Sequence, residues 1–153
     1  MKIAAKTLSR STAGSALIEL ALTLPILLIF LVGIADFGRY VYAAIEICDA
    51  AHAAAQYGAQ NHVTASDNAG MNLAAANAAP DVSGIVTTPS HFCACSNDTS
   101  TTVGCATSCT TGNRMIEFVQ VNTSATIQPI VKYPGLSESA LTVQGQAIIR
   151  TEQ

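Results

Sequence analysis

An apolar stretch near the start of the chain decides how the rest is interpreted: GSALIELALTLPILLIFLVGIA, residues 14–35. From Ala16 to Ala35 the only charged side chain is that of Glu19. A helix needs about 20 mostly apolar residues to cross the hydrocarbon core of a bilayer, so this stretch is long enough. It therefore predicts one transmembrane helix, and the carboxylate inside it needs a physical reason.

The charges that flank this stretch predict its orientation. The basic residues before it are Lys2, Lys6 and Arg10, with no acidic residue among them. Asp36 and Arg39 follow it, and their opposite charges nearly cancel. Because basic flanks stay on the cytoplasmic side, we expect a cytoplasmic N-terminus and a C-terminal part beyond the membrane. Asp36, Arg39 and Tyr40 are then expected at the membrane interface.

Three interpretations of the apolar stretch compete. A secretory signal peptide would be cut after the small residues GIA at 33–35, although the apolar part of such signals usually spans only about 7–15 residues. An uncleaved anchor would keep the whole stretch. The interpretation we favour is a signal cut on the cytoplasmic side of the span, as in pilin-like proteins. It combines a basic leader, Gly14, and Glu19 a few residues into the apolar segment.

This third interpretation gives Glu19 a function. A carboxylate at the centre of a span costs about 2.5–3.5 kcal/mol on insertion scales, and less near an interface. Cleavage after Gly14 would make Ser15 a free α-amine at the membrane edge, one helical turn from Glu19. Pairing of the two charges, within a subunit or between neighbours, would offset the desolvation cost. The alternative is that Glu19 simply extends towards the lipid headgroups.

Residues 14–59 resemble the TadE-like family, small pilin-like proteins of bacterial tight-adherence (Flp) pilus systems. Four features carry the resemblance together: the spacing from Gly14 to Glu19, Pro25 in the span, DFGR at 36–39, and an alanine-rich helix that ends in AAAQYGA at 53–59. One feature differs from the major Flp pilins, which have Tyr after the glutamate where this chain has Leu20. That difference fits the accessory branch of the family.

The resemblance implies a function and a set of partners. It implies a minor pseudopilin in pilus assembly, made as a prepilin in the bacterial inner membrane and cleaved by a prepilin peptidase between Gly14 and Ser15. The implied partners are that peptidase, other pilins and pseudopilins, the pilus-assembly machinery and the lipid bilayer. The alternative function is an uncleaved single-span anchor that presents a disulfide-stapled binding domain.

Helical periodicity continues beyond the membrane segment and predicts one helix from about Ser15 to Tyr57, with Gly58 as its end. A stripe at helical spacing is formed by Phe37, Val41, Ala44, Cys48, Ala51 and Ala55. Small side chains permit close approach, so we expect this stripe to pack on the chain's own domain or on partner helices. Cys48 is expected to be a small buried residue of the stripe, with an intersubunit disulfide as the alternative.

The distal part predicts a small α+β domain. Residues 67–79 form an alanine-rich candidate helix, capped by Ser66 or Asp67. The candidate strands are 82–88, 115–127 and 141–151. We expect an antiparallel sheet of three or four strands on alanine-rich helical faces. The whole chain then divides into a leader at 1–14, a long helix at 15–59 and an extracytoplasmic domain at 60–153.

Four cysteines lie close together in a loop rich in Ser, Thr, Gly and Asn: Cys93, Cys95, Cys105 and Cys109. In an oxidising compartment such a cluster predicts two disulfides. A bridge between Cys93 and Cys95 would close a very tight ring, which leaves 93–105 with 95–109, or 93–109 with 95–105. A zinc site with four cysteine ligands is the rival, and its ligand spacing is unusual.

The sequence offers no pattern for catalysis or for nucleic-acid binding. It contains no G-x-S-x-G, P-loop or H-E-x-x-H motif. Lys and Arg form no cluster outside the N-terminus, and the net charge is −3. We therefore expect a structural protein without enzymatic activity, cofactor, bound metal or nucleic-acid partner.

Overall fold

The computed structural model describes residues 13–110, 112–130 and 141–151. The helices are α1 (Ala13–Gly58), α2 (His62–Ala65) and α3 (Asn68–Ala78). The strands are β1 (Val86–Cys95), β2 (Asp98–Val103), β3 (Met115–Ile127) and β4 (Leu141–Arg150). The chain divides into two compact units, one up to Phe37 and one from Gly38 onwards. A long apolar N-terminal helix followed by an antiparallel sheet with two disulfides confirms the predicted α+β class.

The first unit has a continuous apolar surface. Its large aliphatic and aromatic side chains are exposed, from 47% for Leu24 to 71% for Ile34. Pro25 lies inside the helix, which continues through it. Among the described residues, α1 is the one helix long and apolar enough to cross a membrane. This supports a single-pass membrane protein.

The second unit is built on a four-stranded antiparallel sheet in the order β2-β1-β3-β4. Strand β3 is central and pairs with β1 from Val86 opposite Ser124 to Cys95 opposite Met115. Burial along β3 alternates, because one face of the strand is covered by helices and the other is partly open. The buried row is Glu117, Val119, Val121, Thr123 and Ala125.

The C-terminal part of α1 supplies the helical side of the core. Its buried apolar side chains are those of Ala43, Ile47, Ala50, Ala51, Ala54 and Ala55. The predicted stripe was therefore wrong in part. Ala51 and Ala55 belong to the buried face, but Phe37 and Val41 are exposed and Cys48 is an exposed free cysteine. The packed face is the one with Ile47 and the densest alanines, because small side chains let a helix lie close to a sheet.

Gly145 on β4 makes this close approach possible. A Cβ atom at this position would stand 2.7 Å from the carbonyl oxygen of Ile47 and 2.8 Å from Oγ1 of Thr123. Thr123, the cross-strand partner of Gly145, donates a hydrogen bond of 2.8 Å to that same Ile47 carbonyl. A side chain at residue 145 would therefore separate helix and sheet.

Local capping fixes the two short helices. Asn61 caps α2 by accepting from the backbone N–H groups of Val63 and Thr64. Asp67 caps α3 by accepting from the N–H of Gly70 at 3.0 Å, and its other oxygen accepts from the Tyr57 hydroxyl at 2.8 Å. Both hydrogen bonds lower the pKa of Asp67, and the bond from Gly70 has the larger effect. Of the two predicted caps, the structure uses Asp67, and α3 ends within a residue of the prediction.

The predicted bounds of the strands are accurate for β3 and β4 and wrong for β1. Strand β3 has the predicted bounds, and β4 ends one residue early. The first strand was wrong: it begins at Val86 rather than at 82, and it runs through the first two cysteines, which had been placed in a loop. Pairing with β3 over ten residues overrides the weak local signal. Pro134 and Gly135 predict a loop between β3 and β4, and both lie outside the described residues.

Candidate functional site

The residues predicted for processing and assembly lie in the first two turns of α1. Gly14, Ser15 and Glu19 are all exposed, and a Cβ at Gly14 would meet no atom within 4 Å. Ser15 and Glu19 are four residues apart, so they lie on the same face of the helix. The hydroxyl of Thr23 donates to the backbone carbonyl of Glu19 at 2.9 Å, which leaves the carboxylate out of that bond. The geometry places the carboxylate and the proposed new amine one turn apart.

The three residues predicted at the membrane interface fall on both sides of the unit boundary. Asp36, half-buried, belongs to the first unit, whereas Arg39 and Tyr40 belong to the second. Arg39 is exposed, and Tyr40 is half-buried against the core of the second unit. Tyr40 thus has a packing role in the folded domain that the sequence did not indicate.

A polar cavity of about 390 Å³ opens beside Arg39 in the second unit. Tyr42, Glu46 and Asp81 contribute to its lining, and the Tyr42 hydroxyl donates to Asp81 at 3.5 Å. A hydrogen bond and the negative charge of Glu46 raise the pKa of Tyr42, with a smaller contribution from Asp81. This recess near the start of the second unit is lined by two carboxylates and one guanidinium, that of Arg39.

The structure contains two disulfides, Cys93–Cys105 and Cys95–Cys109. This is one of the two connectivities that the sequence left open. Cys93 and Cys95 lie two residues apart on β1, so both point to the same face of the sheet. Their partners follow β2, and the bridges fasten that segment to β1. Loops of 12 and 14 residues predict a stabilisation of about 3 kcal/mol for each bridge.

Next to the first disulfide lies a cavity of about 330 Å³ that the sequence did not predict. It is lined by Asn61, His62, Cys93, Cys105, Met115, Glu117 and Thr151. Glu117 is the unusual member, because its carboxylate stands in the buried row of β3 and the residue is only 6% exposed. A buried charge requires a partner or a ligand.

One oxygen of Glu117 has such a partner. Nδ1 of His62 lies 2.8 Å from Oε2 of Glu117, and this hydrogen bond and charge raise the pKa of His62. His62 is itself exposed, and nothing in the sequence indicated that it contacts a buried acid. The other oxygen, Oε1, is buried without a hydrogen-bond partner among the described residues, as is Oγ1 of Thr151.

Metal-ligating side chains also meet beside this cavity, which Cys105 and Glu117 line. One nitrogen of His91, Sγ of Cys105 and a carboxylate oxygen of Glu117 all lie within 4.8 Å of one another. In the oxidised state Sγ of Cys105 is bonded to Cys93, so it is not a thiolate. A signal for Glu117 was present in the sequence, since the alternation of β3 puts it in phase with Val119 and Val121. The convergence with His91 and Cys105 required the strand register and the disulfide.

Comparison with known proteins gives one match. Residues 14–56 match the family model described as TadE-like protein, which confirms the resemblance seen in this segment. The match ends two residues before the C-terminus of α1, so the sheet and both disulfides lie outside it. No curated protein and no solved structure matches the chain.

Proposed function

We propose that this protein is a pilin-like structural protein of a bacterial tight-adherence pilus, acting as a minor pseudopilin in pilus assembly. The observation that carries the proposal is the TadE-like match, which begins at Gly14 and continues along α1 to residue 56. Gly14 is also the residue after which a prepilin peptidase would cut. The proposal thus treats residues 1–14 as a leader, 15–59 as the helix and 60–153 as the extracytoplasmic domain.

The exposed apolar surface of the first unit supports membrane insertion. Leaving a Leu, Ile or Phe side chain in water rather than burying it costs roughly 1.5–3 kcal/mol. Residues 17–34 expose a whole series of such side chains, which is untenable in water and favourable in lipid. We propose the bacterial inner membrane, with the basic leader on the cytoplasmic side.

In this proposal Glu19 fixes the register between neighbouring subunit helices in the membrane. Cleavage gives Ser15 a positive α-amine, and Glu19 of the same or a neighbouring helix compensates it. A subunit that enters out of register leaves both charges unpaired in lipid, and each costs several kcal/mol in a low-dielectric medium. Correct register is thereby favoured over incorrect register, while large apolar side chains alone allow the helices to slide.

The second unit acts as a rigid extracytoplasmic head. Its two disulfides suit an oxidising compartment, and its small core relies on them, as small domains commonly do. The head would contact other pilins and pseudopilins or the assembly machinery through its surface. We assign it a structural role rather than an enzymatic one.

N-terminal sequencing of the protein extracted from membranes tests this function. The protein should begin at Ser15 when it is expressed with a prepilin peptidase, and at Met1 without the peptidase. Gly14→Ala should block cleavage, and Glu19→Gln should impair assembly. Thr23→Ala, which changes an exposed hydroxyl one turn further along the helix, serves as the control.

Other outcomes would replace the proposal. A mature N-terminus at Met1 in the presence of the peptidase would favour an uncleaved anchor that presents a binding domain. An N-terminus at Asp36 would indicate a secreted protein. If Gly14→Ala and Glu19→Gln both leave processing and pilus formation unchanged, the roles given to these residues are wrong.

A further inference from the structure

Three potential metal ligands from three separate segments converge beside the Cys93–Cys105 disulfide. His91 comes from β1, Glu117 from β3, and Cys105 from the segment after β2, with ligand atoms within 4.8 Å of one another. A nitrogen, a carboxylate oxygen and a sulfur are the donors that Zn²⁺ accepts in proteins. Tetrahedral zinc places its ligands about 3.4 Å apart, so a movement of about 1 Å would complete the geometry.

The sheet holds most of these groups in place independently of the disulfides. Cys93 and Glu117 are directly opposite each other on β1 and β3, and His91 lies two residues before Cys93 on the same face. Sγ of Cys93 is bonded to Sγ of Cys105, so it adjoins one of the three converging donors. Only Cys105 depends on the position of a loop.

Glu117 shows a second and independent sign of a ligand. Only 6% of the residue is exposed, and it lines the cavity. Its Oε1 has no hydrogen-bond partner among the described residues. Its Oε2 is held by His62 at 2.8 Å. A carboxylate with one oxygen fixed by a neighbour and the other available is the arrangement commonly found for metal-binding acids.

We propose that zinc and the Cys93–Cys105 disulfide are alternative states of one site. A dithiol reductant transfers two electrons to the disulfide, which becomes two thiols while the dithiol becomes a disulfide. Zn²⁺ then binds both sulfurs as thiolates, with release of two protons, together with His91 and Glu117. The site differs from a four-cysteine zinc site because Cys95 and Cys109 take no part. It is independent of the function proposed above.

Metal content of the full-length chain in detergent tests this site. The chain carries Cys48→Ser, which removes the exposed free thiol. A water-soluble phosphine reduces the disulfides and takes up oxygen from water as it is oxidised. We expect one Zn²⁺ per reduced chain and less than a tenth of that per oxidised chain. Co²⁺ in place of Zn²⁺ should give the thiolate-to-cobalt absorption of a site with two sulfurs.

Variants identify the ligands. Glu117→Gln and His91→Ala should each weaken Zn²⁺ binding at least tenfold, whereas His52→Ala, an exposed histidine on α1, should not. The pair Cys95→Ser and Cys109→Ser should retain binding. Circular dichroism of each reduced variant verifies that the sheet persists. Loss of binding in the Cys95/Cys109 pair would indicate a four-cysteine site and overturn the proposal, as would unchanged affinity in Glu117→Gln.

The redox potential of the wild-type disulfide gives a readout that needs no variant of the ligands. Zinc that binds only the reduced state shifts the equilibrium towards the thiols. Once the concentration of free Zn²⁺ exceeds its Kd, each further tenfold increase should raise the reduction potential of the Cys93–Cys105 pair by about 30 mV. The Cys95–Cys109 pair should not shift. Absence of any zinc dependence at Cys93–Cys105 would contradict the proposal.

Discussion

The two units of this chain use helix α1 in opposite ways. Before Phe37 the helix carries Leu, Ile and Phe, and none of its described residues is buried. After Gly38 it carries mainly alanine on one face, and six residues of that face are buried to at least 94%. Side-chain size accounts for the difference. Large apolar side chains cover a helix for contact with lipid, whereas alanines let its backbone approach a sheet.

The largest expected effect comes from placing one acid in each half of α1. Ala51→Asp puts an unpaired charge at a fully buried position and should destabilise the second unit by about 3–5 kcal/mol. Leu28→Asp changes a side chain that is 53% exposed. It should leave the unfolding of the second unit unchanged and weaken membrane insertion by about 2.5–3.5 kcal/mol.

Urea unfolding in detergent and carbonate extraction of membranes measure the two effects separately. Equal losses of domain stability in the two variants would show that the halves of the helix do not differ as described. Tyrosine fluorescence or circular dichroism must follow the unfolding, because the chain contains no Trp.

Removal of a disulfide should have the next largest effect. Cys93→Ser with Cys105→Ser releases a loop of 12 residues and should lower the free energy of unfolding by about 3 kcal/mol. The loss should be confined to the second unit, since the first has no cysteine in its described residues. Non-reducing urea titration measures it, with Cys48→Ser as a matched control that should change nothing. A comparable loss in Cys48→Ser would mean that this thiol also forms a bond.

Gly145→Ala probes the close contact that distinguishes the second unit. The added methyl would overlap with the Ile47 carbonyl and the Thr123 hydroxyl. We expect a destabilisation of about 1–3 kcal/mol, since overpacking forces backbone shifts. Gln144→Ala, on the exposed face of the same strand, is the control. If both variants unfold at the same urea concentration, helix and sheet are less closely packed than the structure indicates.

The smallest expected effect is a pH dependence from His62. The contact with Glu117 raises its pKa in the folded state above the ordinary 6.5. The stabilisation of the folded state by the contact between His62 and Glu117 is therefore complete below about pH 6.5. It is lost as the pH rises through the folded-state pKa of His62. The difference in unfolding free energy between wild type and His62→Gln should shrink over that window. A difference that stays constant from pH 5 to 9 would mean that protonation of His62 does not contribute.

Regular elements with strong local patterns were predictable. The limits of α1 and β3 follow from apolar periodicity and alternation, and the cap at Asp67 follows from a short polar residue before an alanine-rich helix. Strand β1, which carries Cys93 and Cys95, was not predictable, because it is held by pairing with β3, whose residues lie 20 or more positions away in the sequence. Local propensity in this Ser/Thr-rich segment is too weak to indicate it.

The site residues also divide into those that local sequence patterns predict and those that only tertiary packing brings together. Gly14, Ser15 and Glu19 depend only on spacing along one helix, so the sequence itself determines their relation. Glu117 could be placed on the apolar face of β3 by alternation. Its pairing with His62 and its approach to His91 and Cys105 depend on how strands and helices pack, which no local pattern contains.

By itself the sequence determined a long helix with an apolar first part, a small antiparallel domain and two disulfides among four cysteines. Each of these follows from interactions between residues close in the chain or from composition. Only the tertiary structure decided which face of α1 is buried, that Cys93 pairs with Cys105, and that a buried carboxylate borders a cavity. These depend on contacts between distant residues, where the close fit of alanine, Gly145 and the β-register selects one arrangement among several that the sequence allows.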